Sequence, residues 1–140
     1  MVCQNVAAIL TLGGWTGSQY FSSDVATDAN RTAFAKAIQN VVSTYKLDGV
    51  DFECVLFLSF IKSYLLTPVH SWEYPGKQGI GCNVNSPSDS ANFLLFLQLL
   101  RQAAPNLILS AAVSLTPFNG PDGKPMTNVA EFAKVLDYIG

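Results

Sequence analysis

Apolar and polar positions follow two alternating rhythms along this chain. Residues 6–12 form a short apolar run closed by Gly13-Gly14, the pattern of a buried strand that reaches a tight turn. Phe34, Ile38, Val41, Val42 and Tyr45 then recur at helical spacing, with Asp28 and Asn30 upstream as candidate N-caps. Residues 49–53 are the next strand. A polar stretch rich in Gly and Ser, residues 76–90, leads to Phe93, Phe96, Leu97 and Leu100, a second helix that must stop before Pro105. Residues 107–113 read as another buried strand, residues 128–136 as a helix, and residues 137–140 as the opening of a further strand. Strands alternating with helices predict βαβ units and a parallel sheet, an α/β fold.

One segment breaks the rhythm. The strand at 107 begins later than the regular spacing requires, and removing residues 54–71 restores the spacing. These eighteen residues separate LDGVDFE from WEYPG, which joined together read as one continuous acidic strand. Their apolar positions fit no single period: Leu56, Leu58 and Phe60 alternate like a strand, while Leu58, Ile61 and Leu65 fit a helix. Either way the segment is expected to leave the sheet as a loosely attached hairpin or helix.

In the joined strand, Asp51, Glu53 and Glu73 share one face at intervals of about 6 to 7 Å, because side chains alternate along a strand. Such a row ends at the strand's C-terminal end, where parallel α/β architectures build their active sites. Like charges this close resist ionising together, which suits a row that must hold and release a proton. The plainer alternative makes Asp48-Gly49 a turn and the other acids solvated. Burying an acid row inside a strand is costly without a task for it, which favours the first reading.

Composition narrows the possibilities. With 49% hydrophobic and 13% charged residues in 140, the chain has the balance of one packed domain. A net charge of -2 without a Lys/Arg cluster predicts no nucleic-acid partner and no anionic membrane surface. Residues 55–69 are apolar but too short to span a bilayer, and they include Lys62. The start, MVCQNVAAIL, lacks the charged flank and cleavage site of a signal peptide. Cys3, Cys54 and Cys82 have no metal-ligand spacing, so no metal site is expected and at most one disulfide. His70, the single histidine, lies in the interrupting segment without a triad partner.

These residues carry a resemblance. LDGVDFE with WEYPG is similar to the signature of the family-18 chitinases, Asp-x-x-Asp-x-Asp-x-Glu on the fourth strand of a (β/α)8 TIM barrel. Residues 11–15, TLGGW, resemble that family's Ser-x-Gly-Gly motif on the third strand, with Thr11 in place of Ser. The stretches NRTAFAKAIQNVVSTYKLDGVDFE, GIGCNVNSPSDSANFLLFLQLLRQ and LILSAAVSLTPF further resemble fungal members. The resemblance implies that residues 1–140 are a partial catalytic domain covering about strands three to six of the barrel, with residues 54–71 inserted in the fourth strand.

It also implies a chemistry. Glu73 matches the acid that protonates the glycosidic oxygen, while the sugar's own N-acetyl carbonyl attacks the anomeric carbon, so no enzyme nucleophile is needed. Glu53 matches the Asp that orients the acetamido group, one methylene longer here. Asp51 matches the next acid inward, which adjusts the proton balance of the row, and Asp48 the first Asp, with a structural role. Gly13 and Gly14 form the turn of the neighbouring motif. Trp15, Trp72 and Tyr74 either offer faces to sugar rings or fill the barrel mouth. The implied partner is chitin or a chitooligosaccharide, no cofactor is implied, and the implied location is extracellular, with which the sequon Asn30-Arg31-Thr32 agrees. Retention of Glu73 favours catalysis over a binding relative. The interruption beside it and the absence of the other barrel strands lead to the expectation that the chain as written hydrolyses nothing, as for an incomplete gene product carrying a retained short intron.

Overall fold

The computed structural model describes residues 6–53, 75–76, 84–113 and 118–140. Nine elements follow in chain order among the described residues: β1 (Ile9–Gly13), α1 (Gly14–Gly17), α2 (Phe21–Val25), α3 (Asp28–Tyr45), β2 (Gly49–Glu53), α4 (Asp89–Ala103), β3 (Ile108–Ala112), α5 (Ala130–Ala133) and β4 (Tyr138–Ile139). The expectations for residues 54–71 and for Trp72, Glu73, Tyr74, His70, Cys3, Cys54 and Cys82 lie outside the described residues.

The four strands form one sheet in the order β1-β2-β3-β4, every pair parallel. Ile9 is level with Gly49 and Ile108; two residues on, Thr11 is level with Asp51, Ser110 and Tyr138; two further, Gly13 is level with Glu53 and Ala112. The alternation of a strand sorts these residues onto one face and Val50, Phe52, Leu109 and Ala111 onto the other. That second face is the core. Phe52 is fully buried and meets Phe93 and Phe96 of α4 edge-on, at 81° and 87°. Leu97 and Leu100 are equally buried, so the four apolar positions singled out in α4 all point at the sheet. Phe34 of α3 stacks on Phe96 at 4.9 Å and joins the two helices over the strands.

The helix over residues 28–45 differs in detail from its reading. Its N-cap is Thr27, which is extended and accepts the Asn30 N–H at 3.2 Å; Asp28 is the first helical residue and Asn30 lies inside the first turn. Its most buried positions are Arg31, Ala35 and Ile38, whereas Tyr45, on the expected apolar stripe, is 71% exposed. Arg31 is accommodated by donating to the Val25 carbonyl at 2.6 Å and to Asn92 at 3.3 Å, with Asp28 as its ion-pair partner. The helix ends in left-handed Lys46 (φ 53°). The last helix, read over residues 128–136, is a single turn, although Phe132, Val135 and Leu136 are all buried. Among the described residues, no helix is long and apolar enough to cross a membrane.

Candidate active site

The face opposite the core carries the candidate chemistry. Asp51 and Glu53 of β2 both point there, Glu53 at the strand's last residue and Asp51 one inward-facing step before it. Both are half-buried. The Asp51 carboxylate accepts a hydrogen bond from Ser110 Oγ at 2.6 Å through Oδ1, and faces Thr11 Oγ1 at 3.5 Å through Oδ2. A hydroxyl from each neighbouring strand thus flanks Asp51, and the parallel register puts all three residues at one level.

Gly13 and Gly14 stand at the same C-terminal end. Both have positive φ, 107° and 70°. A Cβ at Gly13 would sit 2.3 Å from the Glu53 carbonyl oxygen, so the absent side chain is what lets the end of β1 close against the end of β2. α1 begins immediately after, and the backbone of Trp15 belongs to it.

Asp48 lies at the opposite end. Its carboxylate accepts the Ala8 N–H at 2.8 Å, its own N–H donates to the Ala8 carbonyl at 2.8 Å, and its carbonyl accepts the Ile108 N–H at 2.9 Å. The residue ties the starts of three strands together, well away from Glu53. The structure therefore brings Asp51, Glu53, Gly13 and Gly14 to one end and Asp48 to the other. Trp72, Glu73 and Tyr74 fall outside the described residues.

Some of the surrounding polar residues escaped the sequence reading. Ser110 sits in the run read as a buried strand, and it is fully buried with its hydroxyl on Asp51. Its signal was positional: a polar residue in a parallel strand, level with an acid in the next. Asp89, also fully buried, accepts from Ser22 Oγ at 2.6 Å and from the Ser86 N–H at 2.8 Å, fastening α2 to the start of α4. In α2 itself, burial raises the pKa of Asp24 above its ordinary value. Among the described residues, no group of three His, Cys, Asp or Glu side chains is placed to hold a metal ion. A cavity of about 450 Å³ lies beside Leu47, Asp48, Asn106 and Leu107, at the strands' N-terminal end rather than beside the carboxylates.

A parallel sheet, helices packed on one face and acids on the other at the C-terminal ends together define an α/β architecture of the TIM-barrel kind. The chain belongs to the glycosyl hydrolases family 18, whose family model matches residues 3–140. It is similar to a chitinase-like effector of Moniliophthora roreri, 44% identical over 134 residues that make up 96% of this chain and 28% of that protein. It is similar also to Chitinase A1 of Niallia circulans, 30% identical over 96% of this chain and 17% of that one. Among solved structures, a chitinase from Rhizomucor miehei superposes with a TM-score of 0.78 at 30% identity, covering 95% of this chain and 32% of the other. The chain thus spans about a third or less of the length of these relatives.

Proposed function

We propose that this chain is the central part of a chitinase-type glycosidase that hydrolyses β-1,4-linked N-acetylglucosamine polymers by substrate-assisted, retaining catalysis. In this reading β1 to β4 are the third to sixth strands of the barrel, and residues 54–71 interrupt the fourth. Glu73 protonates the glycosidic oxygen. The substrate's acetamido carbonyl supplies the nucleophile, in place of the second carboxylate of the usual retaining scheme. Glu53 orients that acetamido group, and Asp51 adjusts the charge of the row beneath it. The observation that carries the proposal is the common face of Asp51 and Glu53 at the C-terminal end of β2, beside the Gly13-Gly14 turn.

The test separates lineage from competence. A form with Glu53 joined directly to Trp72 inside a closed barrel is expected to cleave N-acetylglucosamine oligomers, and the chain as written is not. In the joined form Glu73→Gln lowers the rate about 10²- to 10⁴-fold, since an amide cannot deliver the proton, while substrate binding persists. Full activity in Glu73→Gln would show the acid to be misassigned. A second reading, chitin-oligomer binding without turnover, draws support from the relative named a chitinase-like effector. Saturable binding by the joined form, with no product from it, is the result that selects this reading.

A further inference from the structure

We propose that Ser110 is a positioning residue for the acid row: its hydroxyl fixes the direction in which the Asp51 carboxylate faces, and so the charge presented to Glu53. The inference rests on the functional reading above and adds to it a residue from a different strand. Three observations carry it. Ser110 has no exposed surface, so its hydroxyl must be satisfied within the protein, and it donates to Asp51 Oδ1 at 2.6 Å. The alternative flanking hydroxyl, Thr11 Oγ1, lies at 3.5 Å, the outer limit for a hydrogen bond, so among the described residues the close contact comes from the β3 side. The register makes Ser110 level with Asp51, so this bond runs across the sheet and not along β2 toward Glu53.

The consequence is electrostatic. Glu53 stands one inward-facing step above Asp51, about 6 to 7 Å along the strand. An Asp51 held sideways toward β3 keeps its oxygens from swinging up against the next carboxylate, where like charges repel. Without the Ser110 hydroxyl, Oδ1 has no close donor among the described residues and the side chain is free to turn.

The experiment uses the full 140-residue chain, isotopically labelled, as the natural sequence and as Ser110→Ala, Ser110→Thr and Thr11→Ala. Side-chain couplings of Asp51 report its rotamer by NMR, with thermal unfolding measured alongside. The expected result is a single Asp51 rotamer in the natural chain, averaging in Ser110→Ala, return to one rotamer in Ser110→Thr, and one rotamer retained in Thr11→Ala. An Asp51 that keeps its rotamer in Ser110→Ala overturns the proposal, and so does a fall in Tm with no change of rotamer, which is a merely structural role. Hydrolysis of N-acetylglucosamine oligomers forms the second arm, with Ser110→Ala introduced also into the joined form. Where the parent turns over, Ser110→Ala is expected to lower kcat about tenfold with KM held, the effect of losing one hydrogen bond to a charged group. Unchanged kcat with a freed Asp51 overturns the positioning role. Absence of turnover in both parents counts against the glycosidase reading and leaves the rotamer result to decide the role of Ser110.

Discussion

Gly13 carries two constraints at once. Its φ of 107° lies where side-chain-bearing residues are strained, and the space a Cβ needs is taken by the Glu53 carbonyl oxygen. Gly13→Ala is therefore expected to destabilise the chain by about 2 kcal/mol or more, read as a lower urea midpoint at unchanged slope. Gly14→Ala, with positive φ but nothing within 4 Å, should cost less, and equal losses at the two positions would remove the close-approach argument. Both glycines were legible, because a Gly-Gly pair closing an apolar run marks a turn. The inward pairing of Asp51 and Glu53 was legible too, from period two alone. Ser110 and Asp89 were not, because nothing near them in sequence names their partners: Asp51 is 59 residues from Ser110, and Ser22 is 67 from Asp89.

Among the elements, the long helices and the strands, β4 included, followed from their patterns, and the short helices α1 and α2 did not. α4 shows why the pattern works: Phe93 and Phe96 meet Phe52, and Leu97 and Leu100 are buried in the same core, so spacing and burial coincide. In α3 they part company at the end, where Tyr45 keeps the period but stands in solvent. At residues 128–136 the period reported buried positions correctly, yet only Ala130–Ala133 is regular helix, and the chain goes on to Leu136 in tighter turns, with the Val135 and Leu136 N–H groups both on the Phe132 carbonyl. The N-cap was misplaced by one residue or more because Thr27, Asp28 and Asn30 are all capping types, and only backbone geometry selects Thr27. Thr27→Ala is expected to cost about 1 kcal/mol and to speed amide exchange at Asn30, whose N–H loses its acceptor. Unaltered exchange there would mean that another group caps the helix.

At the scale of the molecule, Arg101 and Asp137 join α4, β3 and the start of β4. The Leu109 N–H has the largest effect on the Asp137 carboxyl and, with the Arg101 guanidinium at 2.7 Å, holds it below its ordinary pKa of 3.8; burial, second in size, opposes them. Arg101 also donates to the carbonyls of Leu107 and Val135. A depressed folded-state pKa gives stability that is present above the unfolded value and lost as pH falls through the folded one. Asp137→Asn should thus flatten the acid limb of the Tm profile between roughly pH 5 and pH 2, and lower Tm near neutrality. A mutant that keeps the steep acid limb would assign it to other carboxylates. The parallel architecture was legible in the alternation of strands and helices; the register, which decides what faces Asp51, needed the folded sheet. The order β1-β2-β3-β4 has a consequence for synthesis. Each strand pairs with the one made just before it, so a chain emerging from the ribosome can dock every new βα unit onto an edge already formed. Among the described strands none pairs out of chain order, so this sheet is expected to assemble in the direction of translation.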